Sequence, residues 1–330
     1  MSISRELEYS LAINEALKQS MEKDKDVLLI GQGVKSPWYV GKTTKDLVEC
    51  FGEERVIDTP VSENAITGAA VGAALARMKS IVVHPRMDFM LYAFDPIINQ
   101  AANWYYMNGG KLSVPVVFWG IINRKGEQAA QHSQALHSLF AHIPGLKVVM
   151  PSTPYDAKGL MIAAINDPNP VVFVDDRLLY NIKGSVPKET YEVKIGEGVI
   201  RKEGKDITIV SISNMANETL KASYELEKHG INCEVIDLRT AKPIDFSLVQ
   251  KSVKKTGGLV VVDGGWRTCG WASEVSATVS EQMFEHLRFP VERITLKDCP
   301  APASTSLEDN YYFDAEYISQ RVKERVVKFK

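Results

Sequence analysis

The chain is poor in cysteine. Cys50, Cys233, Cys269 and Cys299 are scattered through 330 residues without a C-x-x-C pair, which argues against a disulfide framework or a cysteine zinc site. A reducing, cytoplasmic setting fits that usage best. The chain also lacks charge of one sign. Its 39 basic and 41 acidic residues leave a formal charge of −2, so nothing electrostatic favours nucleic acid or an anionic membrane as a partner. No apolar run approaches the roughly 20 residues of a membrane-spanning helix, and the first helical segment alternates apolar and charged residues with no signal-peptide block. A complete dinucleotide fingerprint is missing too. Gly31-Gln32-Gly33 is followed by Ser36 at the third glycine position and by Pro37 where a helix should start.

What is present is enough apolar sequence, 45% of residues, to bury two cores. The stretch that organises the rest runs from Arg55 to Met78. Its pattern predicts a short strand to Asp58, a turn at Thr59-Pro60 and a helix opening near Ser62 with Glu63 in its first turn. Ala65, Gly68, Ala69, Gly72, Ala73 and Ala76 recur at spacings of three and four, a face that lets another backbone come close. By itself Glu63 reads either as an acid capping a positive helix end or as a carboxylate aimed at a ligand nitrogen.

Around this stretch, strands are expected at Val27–Ile30, Ser80–His84, Val114–Trp119, Leu146–Met150 and Val171–Val174. Helices are expected from Asp88 to about Tyr106, from near His132, and over Pro154–Ile165. The segment Lys183–Glu203 loses period and is read as connector. A second series follows, with strands near 207–212, 233–237, 258–263 and 291–296 alternating with helices. The expected fold is therefore α/β, with two doubly wound, mostly parallel sheets. The boundaries are a first domain over 1–185, a linker over 186–203 and a second domain over 204–330.

Several motifs occur together in this order: D-T-P-V-S-E-N from Asp58, G-A-A-V-G-A-A from Gly68, A-A-Q-H-S-Q from Ala129, P-G-L-K-V-V from Pro144, D-A-K-G-L from Asp156 and D-G-G-W from Asp263. On these the chain resembles the β subunit of the thiamine-diphosphate-dependent first component of 2-oxoacid dehydrogenase complexes, the pyruvate, branched-chain and acetoin group. The resemblance implies a pyrimidine-binding domain followed by a transketolase-type C-terminal domain. It assigns Glu63 to the pyrimidine ring nitrogen, where a charge-assisted bond stabilises the imino tautomer that generates the ylid. It places Phe89 against the pyrimidine face, Gln32 beside the cofactor, and His132 at the reacting centre; His137 has no such match and is read as structural. It also implies a monovalent cation, potassium, near Val116, Ala164, Ile165, Asp167 and Asn169, although Asp167-Pro168-Asn169-Pro170 also reads as an ordinary turn.

The family holds the diphosphate through magnesium on a G-D-G followed by a distal asparagine, and this chain has no G-D-G. Magnesium is therefore expected mainly on an α partner, in an α2β2 heterotetramer that works with a lipoyl acyltransferase component. The chain departs from its relatives after the first strand, around Arg86, at Trp119, and in the loop Ile121–Glu127. Arg86, Trp119 and Arg124 are consequently candidates for the substrate mouth, against the plainer reading of the arginines as solvent-facing. Three functions follow: decarboxylation of a 2-oxoacid with acyl transfer to a lipoyl group, transfer of a ketol unit to an aldehyde or sugar, or a scaffolding β chain without activity.

Overall fold

The computed structural model describes residues 5–328, save the side chains of Pro37 and Trp38. The chain divides into two compact units. One comprises the chain up to Arg124 together with Leu139–Ile195; the other comprises Lys125–Ser138 and everything from Gly196 on.

In the first unit, strands β1 (Arg5–Glu8), β2 (Val27–Gln32), β3 (Val56–Thr59), β4 (Lys79–His84), β5 (Val116–Ile122), β6 (Lys147–Val149), β7 (Val171–Asp176) and β8 (Lys183–Val186) form. The main sheet runs β6-β7-β5-β4-β2-β3, all parallel. Every residue of β5 and β7 is buried, as expected of inner strands covered on both faces. Alternation decides which face each side chain serves. Leu29, Ile81, Val83, Val117, Trp119 and Phe173 pack with Ile13 and Leu17 of the helix Tyr9–Lys23 and with Leu160 and Met161 of the helix Pro154–Asn166. Their neighbours Leu28, Ile30, Val82, Phe118 and Val172 are buried on the opposite face.

Part of the stretch read as connector is built into this unit. Lys183–Val186 pairs antiparallel with Arg5–Glu8, and Val193 is buried against the core with Tyr191 and Ile195 beside it.

The second unit contains β9 (Val199–Lys202), β10 (Ile207–Ser211), β11 (Cys233–Asp237), β12 (Thr240–Lys242), β13 (Leu259–Trp266) and β14 (Glu292–Leu296). Its sheet runs β14-β13-β10-β11-β9, parallel except for the antiparallel edge strand β9. Ile209, Val235, Val260 and Ile294 make a core with Leu226 of the helix Asn214–Lys228 and with Ile318 and Val322 of the helix Ala315–Lys328. The α/β fold class holds in both halves.

Two expected helices take other forms. The continuous helix over 88–106 is a composite of a 3₁₀ segment Met87–Ala93, a π-helical segment Asp95–Ala102 and an α-helical turn Asn103–Met107. Pro96 supplies no N–H to an i→i−4 ladder, and the Asn103 side chain donates to the Ile98 carbonyl at 2.9 Å. The helix expected from His132 begins only at His137. Before it, Lys125, Gly126, Glu127 and Ala129 all have φ between +57° and +67°, a left-handed geometry no α-helix accommodates. Such backbone costs on the order of 1–3 kcal/mol at each non-glycine position.

Candidate active site in the first unit and the histidine loop of the second

Open parallel sheets bind ligands beyond the carboxyl ends of their strands, and three of the residues singled out in the sequence lie at that rim. Gln32 ends β2 in register with Thr59, which ends β3, while Gly31 is in register with Val83 of β4. The Gly33 amide donates to Asp58 Oδ1 at 2.7 Å and so ties the first two strand ends together. Four residues after β3 the helix Glu63–Leu75 opens. Its Ser62 hydroxyl makes no capping bond, and the half-buried Glu63 carboxylate is the acid in its first turn.

One turn further, Thr67 Oγ1 meets His84 Nε2 at 3.2 Å, linking this helix to the end of β4. Burial lowers the His84 imidazole to about 4, so it is neutral at physiological pH and serves as a hydrogen-bonding link. Beyond His84 the chain enters the 3₁₀ segment that carries Phe89, half-buried and stacked on Tyr92 at 6.5 Å. Gly120 makes this approach feasible, because a Cβ there would lie 2.5 Å from Met90 Sδ and 3.3 Å from Met87 Cγ. The structure thus gathers Gln32, Glu63 and Phe89 at neighbouring strand ends.

The mouth candidates fare differently. Strand β5 continues to Ile122, so Trp119 lies mid-strand, fully buried, with its ring edge-on to Phe173 at 6.4 Å; it is a core residue and lines no mouth. Arg124 is buried and its Nε lies 3.4 Å from Asp176 Oδ2, so this cation is committed to a buried partner and does not face solvent. Arg86 is half-buried, donates to the Pro85 carbonyl at 2.9 Å, and has its guanidinium pKa lowered by burial and then by Arg177.

Asp175 and Asp176, at the carboxyl end of β7, were not among the sequence candidates. The signal was available, since two consecutive acids close an otherwise apolar strand, V-V-F-V-D-D. Burial raises the Asp175 carboxyl to about 7, against the opposing pull of Tyr180, Arg177 and Trp119; burial raises Asp176 too, with Arg124 opposing. Tyr9 stacks on Tyr180 at 6.4 Å. Between the ordinary carboxyl value and about 7 the folded chain retains a proton that the unfolded chain has lost. Stability therefore falls as pH rises through that window and stays reduced above it. Asp175→Asn is expected to stabilise the protein by about 2–3 kcal/mol more at pH 8 than at pH 5. Urea unfolding at both pH values checks this, and an effect independent of pH would refute it.

At the opposite end of the sheet, Val117 is in register with Val171, which brings Val116 alongside the segment ending at Pro170. Ala164 and Ile165 lie in the last turn of the preceding helix, and the Asp167 amide donates to the Ala164 carbonyl at 3.3 Å. The five residues expected to bind a monovalent cation therefore share one region. The Asp167 carboxylate, however, already has partners: the Lys147 ammonium at Oδ2 and the Asn169 amide at Oδ1, 2.9 Å away. Among the described residues no three His, Cys, Asp or Glu side chains group as a metal site.

His132 belongs to the second unit, half-buried on a turn. His137 is sealed in the same unit with its Nε2 3.1 Å from Asp263 Oδ1, while Asp263 also accepts from the Gly265 amide at 2.9 Å. A Cβ on Gly265 would come within 3.0 Å of His137 Cε1. The D-G-G-W motif is thus shaped around His137, which anchors the base of the histidine loop.

Comparisons with known proteins also divide the chain between residues 183 and 196, but they place Lys125–Ser138 with the first part. A model described as the transketolase pyrimidine binding domain matches residues 5–183, and one described as the transketolase C-terminal domain matches residues 196–318. The acetoin:2,6-dichlorophenolindophenol oxidoreductase subunit beta of Cupriavidus necator is 44% identical over 327 residues, covering 96% of each chain. The pyruvate dehydrogenase E1 component subunit beta of Rickettsia conorii is 42% identical, covering 90% of this chain and 91% of that protein. A solved structure titled split gene transketolase, inactive beta4 tetramer, superposes with a TM-score of 0.79 over the whole of both chains at 20% identity, a likeness of fold. The chain belongs to the family of β subunits of the thiamine-diphosphate-dependent first component of 2-oxoacid dehydrogenase complexes, the group that includes the pyruvate and acetoin enzymes.

Proposed function

We propose that this chain is the β half of a 2-oxoacid dehydrogenase that is active only with an α partner, and that it holds the aminopyrimidine end of thiamine diphosphate. The observation that carries this reading is the gathering of Glu63, Gln32 and Phe89 at adjoining strand ends. A carboxylate acceptor, a carboxamide and a partly open aromatic face match the polar edge and the flat face of an aminopyrimidine. When bound, the cofactor supplies a nucleophilic carbon that adds to the 2-oxoacid and stabilises the carbanion left by decarboxylation. Within this chain, Glu63 accepts a hydrogen bond from a protonated ring nitrogen, Phe89 packs the ring face, and Gln32 orients its polar edge. The resemblance gives His132 the role of a hydrogen-bonding partner of the reacting group. Arg86 remains a candidate for the substrate carboxylate.

The diphosphate and its magnesium belong mainly to the α partner, because the sequence has no G-D-G. An interface is consistent with what the first unit exposes. Ala65, Gly68, Ala69, Gly72 and Ala76 are open to solvent, and a Cβ on either glycine would meet nothing within 4 Å. Nearby in sequence, Tyr92, Tyr106 and Met107 are 72%, 87% and 58% exposed. Small residues and exposed aromatics of this kind suit tight packing between subunits, and the expected assembly is α2β2.

The test is the purified complex assayed with 2-oxoacids, in the presence and absence of a lipoyl domain and of aldehyde acceptors. Turnover that requires both the α partner and the lipoyl domain is expected. Efficient transfer to aldehydes without a lipoyl domain would replace this reading with ketol transfer, and no turnover with any substrate would leave a scaffold.

A further inference from the structure

We propose that Glu127, Thr305 and Glu308 form a clasp that positions the loop bearing His132, so that the three act on the reaction through that histidine. The proposal rests on the role given to His132 above.

The loop cannot hold its own shape by a helical ladder. Lys125, Gly126, Glu127 and Ala129 all sit at positive φ, and such backbone persists only where its surroundings over-determine it. Two tethers are internal, from Ser133 Oγ to the Ala129 carbonyl at 2.7 Å and from Gln128 Nε2 to the Gly126 carbonyl at 3.3 Å. Three more bonds converge on Glu127 from the helix Thr305–Tyr311 of the same unit. The Glu127 amide donates to Glu308 Oε2 at 3.0 Å. In return, the Thr305 hydroxyl and amide donate to Glu127 Oε1 at 2.8 and 3.3 Å.

Thr305 and Glu308 are three apart and share a helix face, so one helical turn grips both the main chain and the side chain of Glu127. Glu308 is 2% exposed, and its second oxygen makes no hydrogen bond among the described residues. A buried carboxylate with so few donors depends on the one it has. The grip is reciprocal: the loop gives the Glu308 carboxylate its one donor among the described residues, and Glu308 fixes the loop.

The same helix meets the loop again on the far side of His132. Tyr311 lines a small crevice with Ser133, Gln134 and Ala135, and its hydroxyl is held by the Cys299 carbonyl at 2.8 Å and by Trp266 Nε1 at 2.9 Å. His132 therefore lies between a stretch of loop bonded to this helix and one that borders a crevice with it. A catalytic side chain displaced by about 1 Å can lose on the order of a hundredfold in rate; a clasp with several tethers warrants a smaller expectation.

In the assembled complex, Glu127→Ala and Thr305→Val are each expected to lower kcat about tenfold, with little change in the KM for the 2-oxoacid. Glu127→Gln, which keeps an acceptor for Thr305, should restore most of the loss. Combined with His132→Ala, the same changes should cost less than about twofold more, because groups acting through one residue are not additive. Trypsin cleavage of the native complex after the exposed Lys125 should accelerate severalfold in Glu127→Ala. Normal kcat in Glu127→Ala, or an equal further loss on the His132→Ala background, overturns the clasp alone. A silent His132→Ala instead overturns the role of His132.

Discussion

Glu63→Ala in the assembled complex should lower turnover of the 2-oxoacid by about a hundred- to a thousandfold, the usual loss when a preorganised polar contact to the reacting system is removed. Capping and ligand binding give opposed expectations for this residue. A first-turn acid that only complements the helix end contributes about 0.3–1 kcal/mol to stability and nothing to chemistry. The geometry favours the second role. Glu63 is half-buried at a rim shared with Gln32 and Phe89, and its helix is already held by the bond between Thr67 and His84. The expected pattern is therefore a large fall in kcat with an unfolding free energy within about 1 kcal/mol of the parent. Glu63→Gln should share most of the loss, because it keeps the shape and removes the charge that strengthens the bond. Steady-state kinetics and urea unfolding on the same preparations measure both quantities; normal turnover in Glu63→Ala would end the argument for this site.

The largest effect on stability is expected at Lys158. This side chain is 0% exposed, yet its ammonium donates to Glu15 Oε1 at 2.7 Å and to the carbonyls of Pro187, Lys188 and Glu189 at 2.8, 3.2 and 2.9 Å. Its stem rises from the helix Pro154–Asn166, whose neighbour Gly159 leaves room for Tyr191 and Val193. One cation thus fastens the first helix, this helix and the segment after β8. Lys158→Met would fill the volume but leave the Pro187 and Glu189 carbonyls without this donor, the Lys188 carbonyl with only Gln19, and Glu15 with only Arg5. Removing one member of a buried ionic cluster costs about 3–5 kcal/mol. The partial exposure of Glu15, 20% for its side chain, argues for the lower part of that range. A shift in the urea midpoint equivalent to less than about 1 kcal/mol would show that water replaces the ammonium at little cost.

Much of the scaffold was legible because burial in a parallel sheet leaves a local trace. Val27–Ile30 and Val171–Val174 are unbroken apolar runs and Ile207–Ser211 and Cys233–Asp237 are rich in β-branched residues, and the structure places each in a strand. The helix after Glu63 was equally plain from its small-residue spacing and its opening acid. Residues 88–106 misled because their apolar pattern suits any helical pitch, and a proline together with an Asn103 side-chain bond selects the wider π turn. Trp119 and Arg124 misled for a different reason. Their departure from the relatives suggested a mouth, but the extra length of β5 buries one and the acid at the end of β7 captures the other.

Composition and periodicity by themselves determined the α/β class and the doubling of the series, because each depends on residues close together in the chain, while the ordered motifs carried the family resemblance that singled out Glu63. Only the folded structure decided which strand ends adjoin, that Asp175 is held near neutrality, that Lys158 is a buried tie, and that Glu127 grips a helix far along the sequence. Those outcomes depend on desolvation and on hydrogen bonds between distant segments, and neither leaves a pattern in the local order of residues.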